Sequence, residues 1–318
     1  MNLIDRIKGA VWGQFVGDAA CLGTHWIYDL DELERRYPAV EGFEAPIEGH
    51  YHDGKQPGEQ THYGDAALLL LESIAATGAF DEKDFGRRFV ALFGSADYQG
   101  YRDHATKGML ANYLEQGGPD FDFQQGTGDE QPATVTRLAP LVAAHRHDPR
   151  LRDVVRTLTQ VCQNSHRAVA YAQAHARILN GLIKGENLPA VCRQVSTEMA
   201  GGYPVEAEVA EQLQSALEKA DLNVQKATLE FGQACPLLRT FPSAMQTALH
   251  HADDYTQAIL AALKAGGDNA ARCAMIGAWL GASLGFDAIP SHWRNRLSAK
   301  DRIERAMTTL LGRFKPES

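Results

Sequence analysis

Apolar residues recur three and four positions apart along most of the chain, the spacing that gathers them on one face of an α-helix. Runs in which apolar and polar residues alternate are too short to build a sheet. The pattern therefore predicts an all-α protein. The predicted helices lie near residues 3–17, 65–77, 82–94, 102–115, 133–146, 150–163, 167–184, 188–199, 205–219, 223–232, 243–251, 254–265, 269–284 and 300–312.

Two polar stretches interrupt this spacing. The first runs from about Pro38 to Tyr63 and is rich in Gly, Pro, Glu and His. Irregular segments of this length are uncommon in compact domains unless they carry function. The second runs from Gly117 to Pro132, and its glycines would let a ligand approach the backbone closely. Neither stretch has the composition of a flexible linker, and the chain shows no internal repeat, so we predict a single domain over residues 1–318.

Glycine recurs at every fourth position on the first helix and on the last long helix. The positions are Gly9, Gly13 and Gly17, and Gly277, Gly281 and Gly285. Glycine within a helix costs roughly 1 kcal/mol relative to alanine, so three on one face require a compensating contact. Close approach of a second backbone supplies it. If the two helices pack antiparallel, Asp18 at the end of the first lies close to Asp268 at the start of the last.

Composition narrows the function classes. The formal charge is −9, with no basic cluster of the kind that binds nucleic acid phosphates. No stretch approaches the roughly 18 apolar residues of a membrane span, and the first residues lack the apolar core of a signal peptide. The five cysteines are widely spaced and form no Cys-x-x-Cys pair. We expect reduced thiols and a cytoplasmic location, without nucleic acid or membrane partners.

Five segments follow one another along the sequence: GAVWGQFVGDAACLGTHWIYD from Gly9, THYGDAALLLLES from Thr61, RLAPLVAA from Arg137, NSHRAVAYAQAHARI from Asn164 and AGGDNAARCAMIGAWLGASLG from Ala265. In this order they resemble the ADP-ribosylglycohydrolase family, and within it the branch that contains J-type lens crystallins. The resemblance implies an orthogonal bundle of helices. In active members it also implies a pair of Mg²⁺ ions at the mouth of a cleft that binds ADP-ribose. Those enzymes hydrolyse the bond between ribose C1″ and an amino-acid side chain.

The sequence departs from this family at the positions that hold the metal ions. Active members have Thr-Asp-Asp where this chain has Thr61, His62 and Tyr63. They have Gly-Gly-Asp-Thr-Asp-Thr where this chain keeps only Asp268 as an acid, followed by Asn269. Mg²⁺ requires near-octahedral oxygen coordination, so a dinuclear centre is not expected. A local shift of register would restore Asp65, which leaves Asp65 and Asp268 as candidate ligands of Mg²⁺.

Nine residues are candidates for the site. The catalytic candidates are Asp65, Asp268 and His25, the last standing where several active members have an acid. Histidine can act as an acid or base near neutral pH. The substrate-binding candidates are Thr61, His62, Tyr63, Asn269, Arg272 and Gln131. Each also has a structural interpretation: helix capping for the two aspartates, a salt bridge for Arg272 and hydrogen bonding for the histidines.

Two other residue classes in these segments have a ligand interpretation. His25, His50, His52 and His62 would suit zinc or iron better than magnesium, although their spacing matches no standard site. Trp26, Tyr28, Tyr63 and Trp279 could stack on an adenine or line a pocket, and aromatic residues at such positions are more often part of the core.

The sequence leaves three functions open. The first is a hydrolase of an N- or O-glycosidic bond in an ADP-ribosyl or related ribosyl compound. The second is a module that binds a nucleotide-like ligand without cleaving it, and the third is a structural protein of the crystallin kind. The first two imply a small-molecule, nucleotide-like partner or an ADP-ribosylated substrate. The oligomeric state stays undetermined.

Overall fold

The computed structural model describes residues 1–117 and 121–314, and within these ranges the regular structure is helical. The β-type pairings found there are two isolated bridges, Ile27 with Gly267 and Thr127 with Gln163. The all-α prediction is therefore confirmed. Residues 118–120, which belong to the second predicted polar stretch, lie outside the described residues.

The helices of the described ranges are numbered in chain order. They are α1 (Leu3–Ala20), α2 (Leu30–Arg36), α3 (His62–Thr77), α4 (Glu82–Phe93), α5 (His104–Gln116), α6 (Ala139–His145), α7 (Leu151–Cys162), α8 (His166–Ile183), α9 (Leu188–Ala200), α10 (Pro204–Glu218), α11 (Val224–Phe231), α12 (Leu237–His250), α13 (Tyr255–Lys264), α14 (Asn269–Leu284), α15 (Ser291–Arg296) and α16 (Lys300–Gly312). Short 3₁₀ turns occupy Val135–Arg137 and Phe286–Ala288. Within the described ranges, none of these helices combines the length and apolar character needed to cross a bilayer.

Helices α1 and α14 lie antiparallel with their backbones in contact, at the centre of the fold. A Cβ atom at Gly9 would overlap the carbonyl oxygen of Gly281. One at Gly13 would overlap the carbonyl oxygen of Gly277, and one at Gly17 that of Cys273. The predicted close approach of the two glycine-bearing helices is confirmed. It brings the end of α1 beside the start of α14.

Polar side chains fix the starts of the helices that surround this junction. Thr61 caps α3 through a hydrogen bond that its Oγ1 accepts from the backbone N–H of Tyr63, at 3.1 Å. Helix α3 therefore begins at His62, three residues before the predicted position, which puts His62 and Tyr63 in its first turn. Asp103 caps α5 and Asp268 caps α14 in the same way.

Other differences from the predicted helices have local causes. Helix α12 begins at Leu237 and not near residue 243, and it continues through Pro242, which the prediction treated as a helix break. The predicted helix 133–146 divides into a 3₁₀ turn and α6, with Pro140 in the first turn of α6. Helices α2 and α15 were not predicted, since they span 7 and 6 residues and show little periodicity.

Candidate functional site

The loop after α1 and the Gly-Gly turn before α14 are joined by backbone hydrogen bonds. Trp26 N–H donates to the carbonyl oxygen of Gly267 at 2.8 Å, and Gly267 N–H donates to that of Ile27 at 2.7 Å. Gly266 and Gly267 both have a φ of 66°, a left-handed conformation that favours glycine. Trp26 shares this conformation with a φ of 65°, an unusual one for a bulky residue. The pairing holds His25 and Asp268 side by side.

Four buried side chains are linked by hydrogen bonds at this junction. His25 Nε2 lies 2.9 Å from Asp268 Oδ1, and His25 Nδ1 lies 2.7 Å from Nε2 of His52. Tyr63 OH donates to the other oxygen of Asp268 at 3.3 Å. The backbone N–H of Ala271 also donates to Oδ1, at 3.3 Å. Sequence reasoning predicted His25, Tyr63 and Asp268 as site residues, and the structure brings them together.

The protonation states follow from burial and these contacts. Burial alone would raise the pKa of Asp268, but the hydrogen bond from His25 and the nearby Arg272 guanidinium lower it below the usual range, so the carboxylate is ionised. Burial lowers the pKa of His25, against the raising effect of Asp268, so the imidazole is neutral at neutral pH. The Nε2 atom of His25, which faces the carboxylate, therefore carries the proton.

His62 lies beside this chain with its own polar atoms unused. Its ring packs on that of Tyr63, with centroids 3.9 Å apart, and its Nε2 lies 3.6 Å from Oδ2 of Asp103. Neither ring nitrogen makes a hydrogen bond to the described protein atoms, and Nδ1 of His52 shares that property. Burial lowers the pKa of His62 to about 4, so its ring is neutral. Buried polar atoms of this kind need a partner, so a ligand or water is expected here.

Three aromatic side chains, named here the aromatic rim, separate this cluster from solvent: Trp26, Tyr51 and Tyr101. The Trp26 ring stacks on His25, with centroids 3.9 Å apart, and meets Tyr51 and Tyr101 edge-on at 4.7 and 4.8 Å. Trp26 is 8% exposed, whereas Tyr51 is 56% exposed. Access to the histidines therefore depends on how these rings are arranged.

Asp65 and Asp268, the two candidate ligands of Mg²⁺, have separate partners. Asp65 pairs with Lys55 at 2.9 Å and accepts a hydrogen bond from Tyr98 at 2.8 Å. These three residues line a surface cleft of about 700 Å³. The cause is helix geometry, because residues two apart point to nearly opposite sides of α3, so Tyr63 reaches Asp268 and Asp65 reaches Lys55.

Asp18 lies behind the start of α3, at the end of α1. Its two carboxylate oxygens accept hydrogen bonds from Thr61, one from the backbone N–H at 2.8 Å and one from the hydroxyl at 2.5 Å. Burial, opposed by these hydrogen bonds, raises the pKa of Asp18 to about 7. Thr61, predicted to bind substrate, thus caps α3 and ties it to α1.

The other predicted substrate-binding residues have structural contacts. Asn269 donates from Nδ2 to the hydroxyl of Thr24 at 2.9 Å. Arg272 is fully buried and donates to the carbonyl oxygen of Gly266, so its guanidinium supports the Gly-Gly turn. Gln131 takes part through its backbone, whose carbonyl accepts from Gln163 at 2.6 Å.

Sequence reasoning missed the roles of four residues. Asp103, Tyr51 and Tyr101 were not candidates, and His52 was considered as a metal ligand or an ordinary hydrogen-bonded histidine. A weak signal existed for Asp103, because an aspartate directly before the helical run that begins at His104 is typical of an N-cap. The positions of Tyr51 and His52 depend on the path of an irregular loop, which periodicity does not encode.

The donors at the family's metal positions do not fit a pair of Mg²⁺ ions. His62 and Tyr63 replace two carboxylates, and Asp268 already accepts hydrogen bonds from His25, Tyr63 and Ala271. In the part of the chain that the structure describes, no three or more His, Cys, Asp and Glu side chains converge as metal ligands. Mg²⁺ prefers several oxygen ligands, which this arrangement of neutral imidazoles and one engaged carboxylate does not offer.

The sequence matches the ADP-ribosylglycohydrolase family over residues 1–318. The chain belongs to the ADP-ribosylglycohydrolase family. This confirms the resemblance that the five sequence segments indicated.

Individual relatives of this ADP-ribosylglycohydrolase family member are distant but cover nearly the whole chain. Crystallin J1A of Tripedalia cystophora is 26% identical over 315 residues, 94% of each chain. ADP-ribosylarginine hydrolase Tri1 of Serratia proteamaculans (strain 568) is 26% identical over 311 residues, 94% of this chain and 77% of that protein. A solved structure described as an ADP-ribosylglycohydrolase-related protein complex has a TM-score of 0.72 at 23% identity, over 97% of this chain and 98% of its own. That likeness supports the fold.

Proposed function

We propose that the protein hydrolyses the glycosidic bond between ribose C1″ and an amino-acid side chain in ADP-ribosyl compounds. The observation that carries the proposal is the hydrogen-bonded series Asp268, His25 and His52 beside His62, whose ring nitrogens make no hydrogen bond to the described protein atoms. These hydrogen-bonded side chains lie at the meeting point of two sequence motifs, the ones that hold the metal ions in active members of the family. The family relationship suggests the substrate class. The side chains at this site would catalyse the reaction without the metal pair of the active family members.

Cleavage of such a bond requires a nucleophilic water and stabilisation of an oxocarbenium-like ribose. The ionised Asp268 supplies fixed negative charge in a buried setting, where electrostatic effects are stronger than in water. The free nitrogens of His62 offer hydrogen bonds to ribose hydroxyls. The aromatic rim provides flat apolar surface for a planar part of the ligand. No step in this scheme passes through a metal ion.

The test uses purified full-length protein and two peptides, one ADP-ribosylated on arginine and one on serine, each with EDTA and with Mg²⁺. We expect release of ADP-ribose from at least one peptide, at a rate that EDTA does not lower. Asp268→Asn keeps the side-chain shape but removes the charge and should lower kcat about 100-fold or more. Asp287→Asn is the matched control, since the Asp287 side chain is 95% exposed. A wild-type protein that releases no ADP-ribose under any condition would overturn the proposal.

A second candidate function is capture of a nucleotide-like ligand without cleavage. It is favoured by the saturation of Asp268, whose oxygens already accept three hydrogen bonds and whose carboxylate is fully buried. ADP-ribose at 100 times its Kd would then stabilise the fold by about 2.7 kcal/mol. A rise in the melting temperature without turnover supports this function. If ADP-ribose does not raise the melting temperature and no turnover is detected, both candidate functions are rejected.

A further inference from the structure

We propose that His52 is the residue that takes the proton from the attacking water. The inference rests on the proposed hydrolase function and deepens it. The sequence indicated acid or base chemistry for His25, which makes a direct hydrogen bond to Asp268. His25 has no free hydrogen-bonding nitrogen and His52 has one, so we assign the role of the base to His52.

His25 has no nitrogen left for a substrate. Its Nε2–H donates to the ionised Asp268, at 2.9 Å. Because the ring is neutral, its Nδ1 carries no proton and must accept the hydrogen bond at 2.7 Å from Nε2–H of His52. The ring is also fully buried beneath Trp26. Its proton therefore points toward Asp268, and its lone pair toward His52.

His52 is the end of this chain that has a free lone pair. With its proton on Nε2, a neutral His52 ring must carry a lone pair on Nδ1. That nitrogen is buried and has no hydrogen-bond partner among the described protein atoms. The ring lies parallel to those of His25 and Trp26, with centroids at 5.0 and 5.6 Å. The ring centroid of His52 lies 6.3 Å from that of His62, so a water bound to Nδ1 would belong to the same buried cluster.

The loop that carries His52 explains how a ligand could reach this cluster. His52 follows Tyr51 of the aromatic rim, and the pair lies between Gly49 and Gly54. Both glycines have left-handed φ values, 75° and 87°, and neither has a neighbour where a side chain would stand, among the described residues. These positions can change conformation at little steric cost. Movement of the loop would open the rim and carry His52 with it.

In the proposed step, water attacks the anomeric carbon of the ribose. The water oxygen forms a bond to ribose C1″, and one water proton moves to Nδ1 of His52. The bond from C1″ to the side-chain nitrogen or oxygen breaks, and its electron pair leaves with that atom. The leaving atom then takes a proton from solvent, and His52 returns its own to solvent. Water is consumed, and free ADP-ribose and an unmodified side chain are formed.

The negative charge of Asp268 favours transfer of the water proton to His52. When Nδ1 gains a proton, the positive charge on His52 is stabilised through His25 by the carboxylate of Asp268. Burial and the neighbouring histidines hold the pKa of His52 well below its usual value, so the ring is a weak base. A weak base is sufficient here, because water that attacks an oxocarbenium-like carbon becomes acidic as the bond forms.

The test compares His52→Gln and His52→Ala on the ADP-ribosylated peptide that the wild-type protein cleaves. Glutamine can still donate to Nδ1 of His25 but is not a base, so we expect kcat to fall about 100-fold while KM changes little. Imidazole added to His52→Ala should restore part of the lost kcat, and added to His52→Gln it should not. His292→Gln, on the exposed surface of α15, is the control. Melting temperatures verify that each variant is folded.

The outcomes separate this inference from the proposed function. If the wild-type protein is active and His52→Gln keeps a third or more of its kcat, His52 only positions His25 and the inference is rejected, while the hydrolase function stands. Failure of imidazole to rescue a folded His52→Ala variant also rejects it. If the wild-type protein is inactive on both peptides, the inference falls together with the hydrolase function.

Discussion

His175 shows what burial does to a single titratable residue outside the site. It lies in α8 with its ring 5.0 Å from that of Trp279 and is fully buried. Neither of its nitrogens has a hydrogen-bond partner among the described atoms. Burial lowers the pKa of His175 to about 3, and no charged neighbour contributes to the shift. The folded protein therefore holds a neutral ring where the unfolded chain would readily bind a proton.

This residue should make the fold sensitive to acid. The pKa is lower in the folded state than the usual 6.5, so its contribution to stability is complete above pH 6.5 and is lost as the pH falls toward 3. At pH 5 the loss is about 2 kcal/mol. His175→Leu removes the titration, so we expect the fall in unfolding free energy between pH 7.5 and pH 5 to shrink by that amount, measured by urea denaturation. The exposed His292→Leu should leave the fall unchanged, and equal falls in all three proteins would contradict the prediction.

At the scale of single residues, the sequence predicted which residues lie at the site better than it predicted the contacts that they make. His25, Tyr63 and Asp268 were found because they lie in family motifs, and the structure brings them together. Asp65 was found in the same way, yet it pairs with Lys55, because the start of α3 determines which side of the helix each residue faces. The hydrogen bond between His25 and His52 was not predictable, since no regular spacing relates His52, a loop residue, to its partner.

The contact of α1 with α14 dominates at the scale of helices. The two helices exchange close contacts between backbone atoms at successive glycines, so the interface has no space for a side chain. Tyr255 of α13 adds a hydrogen bond from its hydroxyl to the carbonyl oxygen of Gly13 at 2.8 Å. A methyl group at Gly13 would displace the carbonyl of Gly277 and the nearby ring of Tyr255 together.

Gly13→Ala should therefore lower the free energy of unfolding by about 3 kcal/mol, the upper end of the usual cost of overpacking. Gly312→Ala is the comparison, because Gly312 lies in helix α16 with no described atom near the position of a new Cβ. We expect that variant to be as stable as the wild-type protein, or up to about 1 kcal/mol more stable, from helix propensity. Urea denaturation of both variants measures the difference. Equal stabilities would show that the helices can separate without cost.

Helix existence was predictable, and helix boundaries were less so. Long periodic segments such as α8 and α14 were found within one residue at each end. The start of α12 was missed, because Pro242 usually marks a helix start or break, whereas here it lies inside the helix. The short α2 was missed because 7 residues give less than two full repeats of helical spacing.

The whole molecule shares one continuous apolar interior over the described residues. The cluster of buried apolar side chains extends from α1 through α16. The four tryptophans, Trp12, Trp26, Trp279 and Trp293, belong to the two ends of the sequence. Helices α3 to α13 carry none, so tryptophan fluorescence reports their unfolding only indirectly, through contacts such as that of His175 with Trp279.

We predict one cooperative unfolding transition, which would support the assignment of a single domain. Tryptophan fluorescence reports the region of α1 and α14, and far-ultraviolet circular dichroism reports all helices. The two signals should give the same urea midpoint and the same slope. Two separate midpoints would indicate that part of the region from α3 to α13 unfolds independently.

The antiparallel pairing of α1 with α14 also sets an order of events during synthesis. Helix α1 is synthesised about 250 residues before its partner α14, which takes roughly 12 to 50 seconds at 5 to 20 residues per second. Until then the glycine-bearing face of α1, which packs on α14, has no native partner. Newly made chains should thus depend on chaperones that hold the amino-terminal segment, and the central packing of the protein should be among the last features to form.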